Sequence, residues 1–245
     1  MDIDPRWFKR FGRTGPAEMR LLCFHYAGGN ASVFRQWPRL LPWFIEPVAV
    51  QLPGRTDRFR ETPYDRMDPL IDDLIEVVKP LLDKPFALYG VSMGSRVAWA
   101  LAHALRERGM PMPRQLFVAS SSPPSLADGR RDWDGRDESL IEFLRTMGGT
   151  PDEVLEHPEL VAGLLPTLAA DLSVVSTHTF RPRTPLDIPI HAFAGTHDPE
   201  ATPEQMTGWR TETTARFDID PVPGGHIFDD AGHRQVIRAI VDTWG

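Results

Sequence analysis

The chain is short of several things, and each shortage excludes something. It has one cysteine, Cys23, in 245 residues. An internal disulfide is therefore impossible, and a reducing, cytoplasmic compartment is expected. Cys23 lies within the apolar run Leu21-Leu22-Cys23-Phe24 and reads as a buried strand residue. The opening stretch, Met1 to Trp7, is polar and has no apolar signal core. No run approaches the roughly 18 apolar residues of a membrane span, so no membrane association is expected. Basic charge is not in excess: 27 Lys and Arg against 34 Asp and Glu leave a net charge of -7. Nucleic-acid binding needs clustered Lys and Arg and is not expected. There is no Gly-x-x-x-x-Gly-Lys phosphate loop. No two histidines have ligand spacing on a helix, and one cysteine cannot build a zinc site. Neither a metal nor a bound cofactor is expected. Internal repeats and low-complexity tracts are absent too.

What is present is a regular alternation of apolar runs and amphipathic segments. Residues 1–18 carry Pro, Gly and charge and read as a loosely held arm. Arg20 to His25 is a strand, followed by the loop Tyr26-Ala27-Gly28-Gly29-Asn30, after which Ser32 is placed to cap a short helix. Pro47 to Leu52 is a second strand. Asp68 is placed to cap a helix with Leu70, Leu74, Val77, Val78 and Leu81 on one face. A strand over Phe86 to Val91 then runs into a helix reaching about Arg108, with Met93, Val97, Leu101 and Leu105 turned inward. Gln115 to Ser120 is another strand. This order predicts a mostly parallel sheet with helices on both faces.

From about 125 to 185 no strand is convincing. Helices are expected at Glu138–Met147, Pro151–Glu156 and Pro158–Thr179. The last carries a stripe of Leu160, Val161, Leu164, Leu165, Leu168, Leu172 and Val175, and Pro166 is expected to kink it. An all-helical insertion between sheet strands is a candidate lid, although its stripe also suits plain packing. Strands resume at Ile188–Ala194 and Ala215–Ile219. A helix near Pro203–Trp209 separates them, and a final helix covers Asp229–Trp244. The whole reads as one domain, 1–245, with a lid.

The chemistry centres on Gly90-Val91-Ser92-Met93-Gly94, the Gly-x-Ser-x-Gly pattern of a nucleophile elbow. Small residues flank the serine because a strand turning at once into a helix leaves no room for side chains. Ser92 needs a base, and histidine suits that task near neutrality. Of eight histidines, His226 lies on a Gly-Gly loop after the last strand, at the sheet edge where Ser92 also sits. His233, within the last helix, reads as a surface residue. Asp198 follows the strand Ile188–Ala194 and is placed to orient the imidazole. Asp187 lies at the wrong end of that strand, and Asp218 and Asp220 read as solvated. Ser92, Asp198, His226 is the chain order of an α/β-hydrolase triad. The oxyanion hole would use the N–H of Met93 and, from the loop after the first strand, that of Ala27. Gly28-Gly29 could also be no more than a tight turn.

Four motifs in this order resemble the type II thioesterases. They are His25-Tyr26-Ala27-Gly28-Gly29, Gln51-Leu52-Pro53-Gly54-Arg55, Gly90-Val91-Ser92-Met93-Gly94 and Gly224-Gly225-His226. These free-standing α/β-hydrolases serve polyketide synthases and nonribosomal peptide synthetases. The resemblance runs from about Ala17 onward and includes Leu144-Arg145-x-Met147-Gly148-Gly149-Thr150-Pro151. Many members have His where Val91 stands and Ala where Ser95 stands, which bears on the pocket floor rather than the triad. The resemblance implies an acyl thioester substrate on the phosphopantetheine arm of a carrier protein, cleared by hydrolysis. Acyl or peptidyl carrier proteins are then transient partners, and phosphopantetheine belongs to them. A monomer is expected. Tyr26, Gly28 and Arg55 become candidate substrate-binding residues. Arg55 would hold loops around the cleft, or else be one surface arginine among Arg55, Arg58 and Arg60. Docking would use a local basic patch. Arg130, Arg131 and Arg136 are candidates unless they lie on a solvated loop.

The same triad also suits a small-molecule esterase, or an acyl transferase or cyclase. A non-catalytic module of this fold that only binds carrier or ligand is a rival of another class.

Overall fold

A computed structural model describes residues 3–12, 16–126, 136–150 and 152–244. Apolar residues alternate along each strand and feed two cores, one per sheet face. Along β2 (Met19–Phe24), Leu22 and Phe24 enter one core, Leu21 and Cys23 the other. The strand over Phe86–Val91 divides in the same way, Phe86 and Leu88 against Ala87 and Tyr89. A sheet buried on both faces must be covered by helices, which suits parallel strands.

Among the described residues seven strands form one sheet in the order β1-β3-β2-β4-β5-β6-β7. They are β1 (Phe8–Lys9), β2, β3 (Ile45–Val50), β4 (Phe86–Val91), β5 (Leu116–Ala119), β6 (Ile190–Gly195) and β7 (Phe217–Val222). Every pairing is parallel except that of β1 with β3. The helices are α1 (Trp37–Leu40), α2 (Met67–Val78), α3 (Met93–Glu107), α4 (Asp137–Met147), α5 (Asp152–Leu155), α6 (Pro158–Ser176), α7 (Pro203–Met206) and α8 (Asp230–Trp244). α2, α3 and α6 pack over one face, and α1 and α8 meet on the other. This is the α/β-hydrolase fold.

Several expectations need correction. The described part of the amino-terminal arm is not loose: Trp7 and Phe8 are buried, β1 pairs with β3, and Arg58 stacks 4.2 Å from the Trp7 ring centroid. Asn30, not Ser32, caps the first short turn, its side chain accepting from Ser32 N–H. Ser32 lies inside the turn, past the N-cap position from which a side chain can accept the first free N–H groups. Asp68 does not cap α2: the helix starts at Met67, so the carboxylate falls in the first turn, where the helix dipole still favours it. β7 lies two to three residues later than expected because Pro221 is tolerated in a strand at the sheet edge. The segment after α7 tightens into a 3-10 helix over Thr207–Glu212. His233 is half-buried, its ring 6.0 Å from that of Trp37.

The helices between β5 and β6 fall where the hydrophobic pattern places them, and α6 continues through Pro166. Leu160, expected on the inward stripe, is exposed, whereas Val161, Leu165, Leu168 and Leu172 are buried. α6 is also 19 residues long with a mean hydropathy of 1.4, long and apolar enough to cross a membrane by those measures. Its buried Asp171, described below, marks it instead as a helix packed against protein. Arg130 and Arg131 lie outside the described residues, and Arg136 is the N-cap of α4.

Candidate active site

The carboxyl ends of the parallel strands converge on one edge, and each expected triad residue leaves from a different strand. β4 ends at Val91 and α3 begins at Met93, leaving Ser92 as the whole turn. Its backbone has φ 53 and ψ -119, a conformation costing about 1–3 kcal/mol for a residue with a side chain. The surroundings enforce it. A Cβ on Gly90 would overlap the backbone of Gly94, and one on Gly94 would overlap the carbonyls of Phe24 and His25. Ser92 N–H donates to Ala119 O at 2.8 Å and Ser92 O accepts from Ser95 N–H at 3.0 Å.

Ser95 has a part that the motif alone did not show. Its buried hydroxyl lies 2.8 Å from both Gly90 O and Ala119 O and accepts from Ala119 N–H at 3.1 Å. It ties β4, α3 and β5 together directly under the turn.

His226 is buried on the loop between β7 and α8, with Nε2 2.8 Å from Ser92 Oγ. Its Nδ1 is 3.0 Å from both carboxylate oxygens of Asp198. That contact fixes the tautomer, since a carboxylate only accepts: Nδ1 carries the proton and Nε2 is free to accept from Ser92. Asp198 follows β6. Its Oδ1 also accepts from the N–H groups of Glu200 and Ala201 at 2.9 and 3.1 Å. Burial alone pushes this carboxyl up, but the hydrogen bond and charge of His226 and the two backbone donors outweigh it. The group is held below the usual carboxylate range. The loops bearing these residues are joined by backbone bonds, His197 N–H to Gly224 O at 2.9 Å and Thr196 N–H to Val222 O at 3.0 Å. Asp187 and Asp220 stay outside the site, bonded to Thr214 and His191.

Ala27 and Met93 are both buried beside this edge, and Met93 is the first residue of α3, where unsatisfied N–H groups favour negative charge. The three candidate substrate-binding residues are engaged with protein. The Tyr26 hydroxyl donates to Gly149 O at 3.2 Å, between α4 and α5, and burial pushes its pKa up. Gly28 (φ 74) donates its N–H to Asp171 on α6 at 2.8 Å. Arg55 is buried and forms a bidentate pair with Asp171, both contacts at 2.7 Å, while also donating to Gly29 O and Pro53 O. It is thus a loop-holding residue and not a surface arginine. Thr167, one turn before Asp171, donates to Gly54 O at 2.8 Å.

Asp171 escaped the sequence reading because it lies inside the apolar stripe of α6. Its signal was there: an acid three residues after Leu168 and four before Val175 must share their inward face. Gln51, present in the Gln51–Arg55 motif, had no role assigned from the sequence. It is buried, accepts from Ala31 N–H at 2.9 Å and donates to Arg55 O at 3.2 Å and Thr56 Oγ1 at 2.6 Å.

Among the described residues no group of three or more His, Cys, Asp or Glu is arranged to hold a metal. A cavity of about 320 Å³ beside the start of β3, lined partly by Phe11, Trp43 and Glu46, contains none of the site residues.

A serine on a strained strand-to-helix turn, hydrogen-bonded to a histidine that is itself bonded to an aspartate from an earlier loop, defines a serine hydrolase arrangement on an α/β-hydrolase sheet. The thioesterase domain family matches residues 19–243. The chain belongs to that family and is a thioester hydrolase. It is 35% identical over 224 residues to the gramicidin S biosynthesis protein GrsT of Aneurinibacillus migulanus, covering 91% of this chain and 88% of that one. The solved structure of the RedJ thioesterase from the prodiginine pathway of Streptomyces coelicolor superposes with a TM-score of 0.88 at 39% identity, covering 93% of this chain and 91% of RedJ. The type II thioesterase BorB from the borrelidin biosynthetic cluster gives 0.85 at 32% identity, with 96% of each chain covered.

Proposed function

We propose that this chain is a type II thioesterase that hydrolyses acyl groups from the phosphopantetheine arm of carrier proteins in polyketide or nonribosomal peptide synthesis. The observation that carries the reading is the hydrogen-bonded series Ser92–His226–Asp198 at one sheet edge of a thioesterase-family chain. RedJ and BorB, from two biosynthetic pathways, support the substrate class by their likeness.

In this mechanism His226 Nε2 takes the Ser92 proton as Oγ attacks the thioester carbonyl carbon. The carbonyl oxygen becomes an oxyanion held by the N–H groups of Ala27 and Met93, donors set in place before the charge appears. The C–S bond breaks, the pantetheine sulfur leaves with the proton from His226, and the acyl group stays on Ser92. Water gives a proton to His226 and attacks the ester. The acid departs and Ser92 Oγ regains its proton. Asp198 stabilises the imidazolium at each stage without taking its proton.

The insertion over about 125–185 is assigned as a lid on a single hydrolase domain, 1–245. The Tyr26–Gly149 and Gly28–Asp171 hydrogen bonds, which reach it from the loop beside Ser92, support that assignment. The lone, buried Cys23 suits a cytoplasmic protein, and the chain is assigned as a monomer that meets its carrier transiently.

Acyl-phosphopantetheinyl carriers of graded chain length, set against simple nitrophenyl esters, test the substrate class. A strong preference for the carriers, with the free acid as product by mass, is expected. A strong preference for the simple esters overturns the carrier reading, and a cyclised or transferred product overturns hydrolysis.

A further inference from the structure

The donor proposed from Ala27 is an N–H on a surface-edge loop, and such a donor serves only if its peptide plane is held. Both planes flanking Ala27 are held. In the Tyr26–Ala27 peptide, which carries the Ala27 N–H, the carbonyl accepts from Gly29 N–H at 3.0 Å and from His25 Nδ1–H at 2.8 Å. In the Ala27–Gly28 peptide, the N–H donates to Asp171 Oδ2 at 2.8 Å. Two peptides further on, Gly29 O accepts from Arg55 Nη1 at 2.9 Å. Asp171 therefore joins two fixings of the loop, one directly and one through the Arg55 guanidinium.

An ion pair made only to hold α6 on the domain would not need the third bond. Asp171 is 1% exposed, and its Oδ2 accepts from both Arg55 and Gly28 while Oδ1 accepts from Arg55. His25, buried alongside, is kept neutral, its pKa lowered to about 4 by burial and by the Arg55 charge. Its Nδ1–H is thus available as a plain donor to the Tyr26 carbonyl across neutral pH.

We propose that Asp171, on the inserted helix α6, is a positioning residue for the Ala27 N–H, so that the seating of this helix sets the oxyanion hole. This rests on the triad and oxyanion assignment above and adds to it a residue from the insertion. Its consequence is that a change in Asp171 acts on the transition state more than on substrate binding.

Three variants separate the possibilities: Asp171→Asn, the paired change Arg55→Met with Asp171→Leu, and Ser92→Ala. The paired change leaves no lone buried charge, yet it strips the Gly28 N–H of its acceptor. Competent sites are counted by titration with a serine-directed fluorophosphonate, and kcat and KM are measured on an acyl-pantetheine thioester. Affinity for a trifluoromethyl ketone, which forms a tetrahedral anion on Ser92, is the second readout. Both Asp171 variants are expected to lose about 100-fold in kcat per titrated site, the usual cost of a misplaced donor. KM should stay nearly constant, and the ketone should bind weaker by a similar factor. Fewer competent sites with unchanged kcat per site and unchanged ketone affinity would show a merely structural pair and overturn the inference. Should either variant fail to fold, hydrogen exchange in the parent protein decides. The Gly28 amide should be strongly protected, and exchange at the rate of a free loop amide overturns the proposal. Loss of the Asp171 effect alone leaves the triad standing, whereas full activity in Ser92→Ala removes both.

Discussion

The turn that carries Ser92 and the helices inserted between β5 and β6 meet at the same sheet edge, but they are held there differently. The turn is fixed by backbone crowding. Gly90 and Gly94 stand where a Cβ would overlap main-chain atoms, and Gly195 stands similarly against Gly225 O. The insertion is joined to the edge largely through side chains: Asp171 to Arg55 and Gly28, Thr167 to Gly54 O, and the Tyr26 hydroxyl to Gly149 O. Backbone crowding places a nucleophile to a fraction of an ångström and tolerates no substitution. Side-chain links leave more room for substitution, and one of them, Asp171, is the residue proposed to position the Ala27 N–H.

That difference breaks most visibly at Gly94. Gly94→Ala should destabilise the fold by about 4 kcal/mol, because the new methyl meets the immovable carbonyls of Phe24 and His25. The check is thermal or urea unfolding of the purified variant, and a stability equal to that of the parent would show that the turn can relax.

A smaller effect comes from buried histidines. His103 on α3 has its pKa lowered to about 3 by burial and by the charges of Arg106 and Arg183, and His25 has its own lowered to about 4. In the unfolded chain both titrate near 6.5. Between about 6.5 and these folded values the unfolded chain binds more protons, so stability rises with pH. It is fully present above about 6.5 and is lost as pH falls toward about 4 for His25 and about 3 for His103. His103→Gln should remove part of that slope, shrinking the drop in Tm over this interval by about 2–4 °C. An unchanged slope would mean that His103 charges without cost in the folded protein.

The smallest effect lies on the insertion. A Cβ on Gly163 of α6 meets nothing within 4 Å, and its φ is not left-handed. Gly163→Ala should stabilise α6 by about 0.5–1 kcal/mol and leave kcat unaltered. A loss of activity there would show that α6 must flex during turnover.

The same contrast explains how much was readable from the chain alone. Ser92, Asp198 and His226 each follow a strand and sit among glycines or in a loop, so strand order alone brings them to one edge. The parallel sheet followed from the alternation of runs. β1 did not, because two residues carry no periodicity and the flanking Pro, Gly and Arg look like coil. Pro221 hid the true extent of β7, since a proline marks a strand end anywhere but at a sheet edge. The inward placement of Asp171 was legible in the spacing of α6, but its role was not, because its partner Arg55 is 116 positions away and nothing local announces the pair. Short-range patterns reveal what crowding demands, whereas links between distant side chains appear only once the chain is folded.

The central claim is that Ser92 carries the acyl group between carrier and water. The most direct measurement is the hydrolysis rate of an acetyl group on a phosphopantetheinyl carrier protein, for the parent and for Ser92→Ala with matching circular dichroism. A fall of about 10⁴-fold or more is predicted, with an acetyl adduct on Ser92 detectable by mass in the parent. Hydrolysis by Ser92→Ala as fast as by the parent would contradict it.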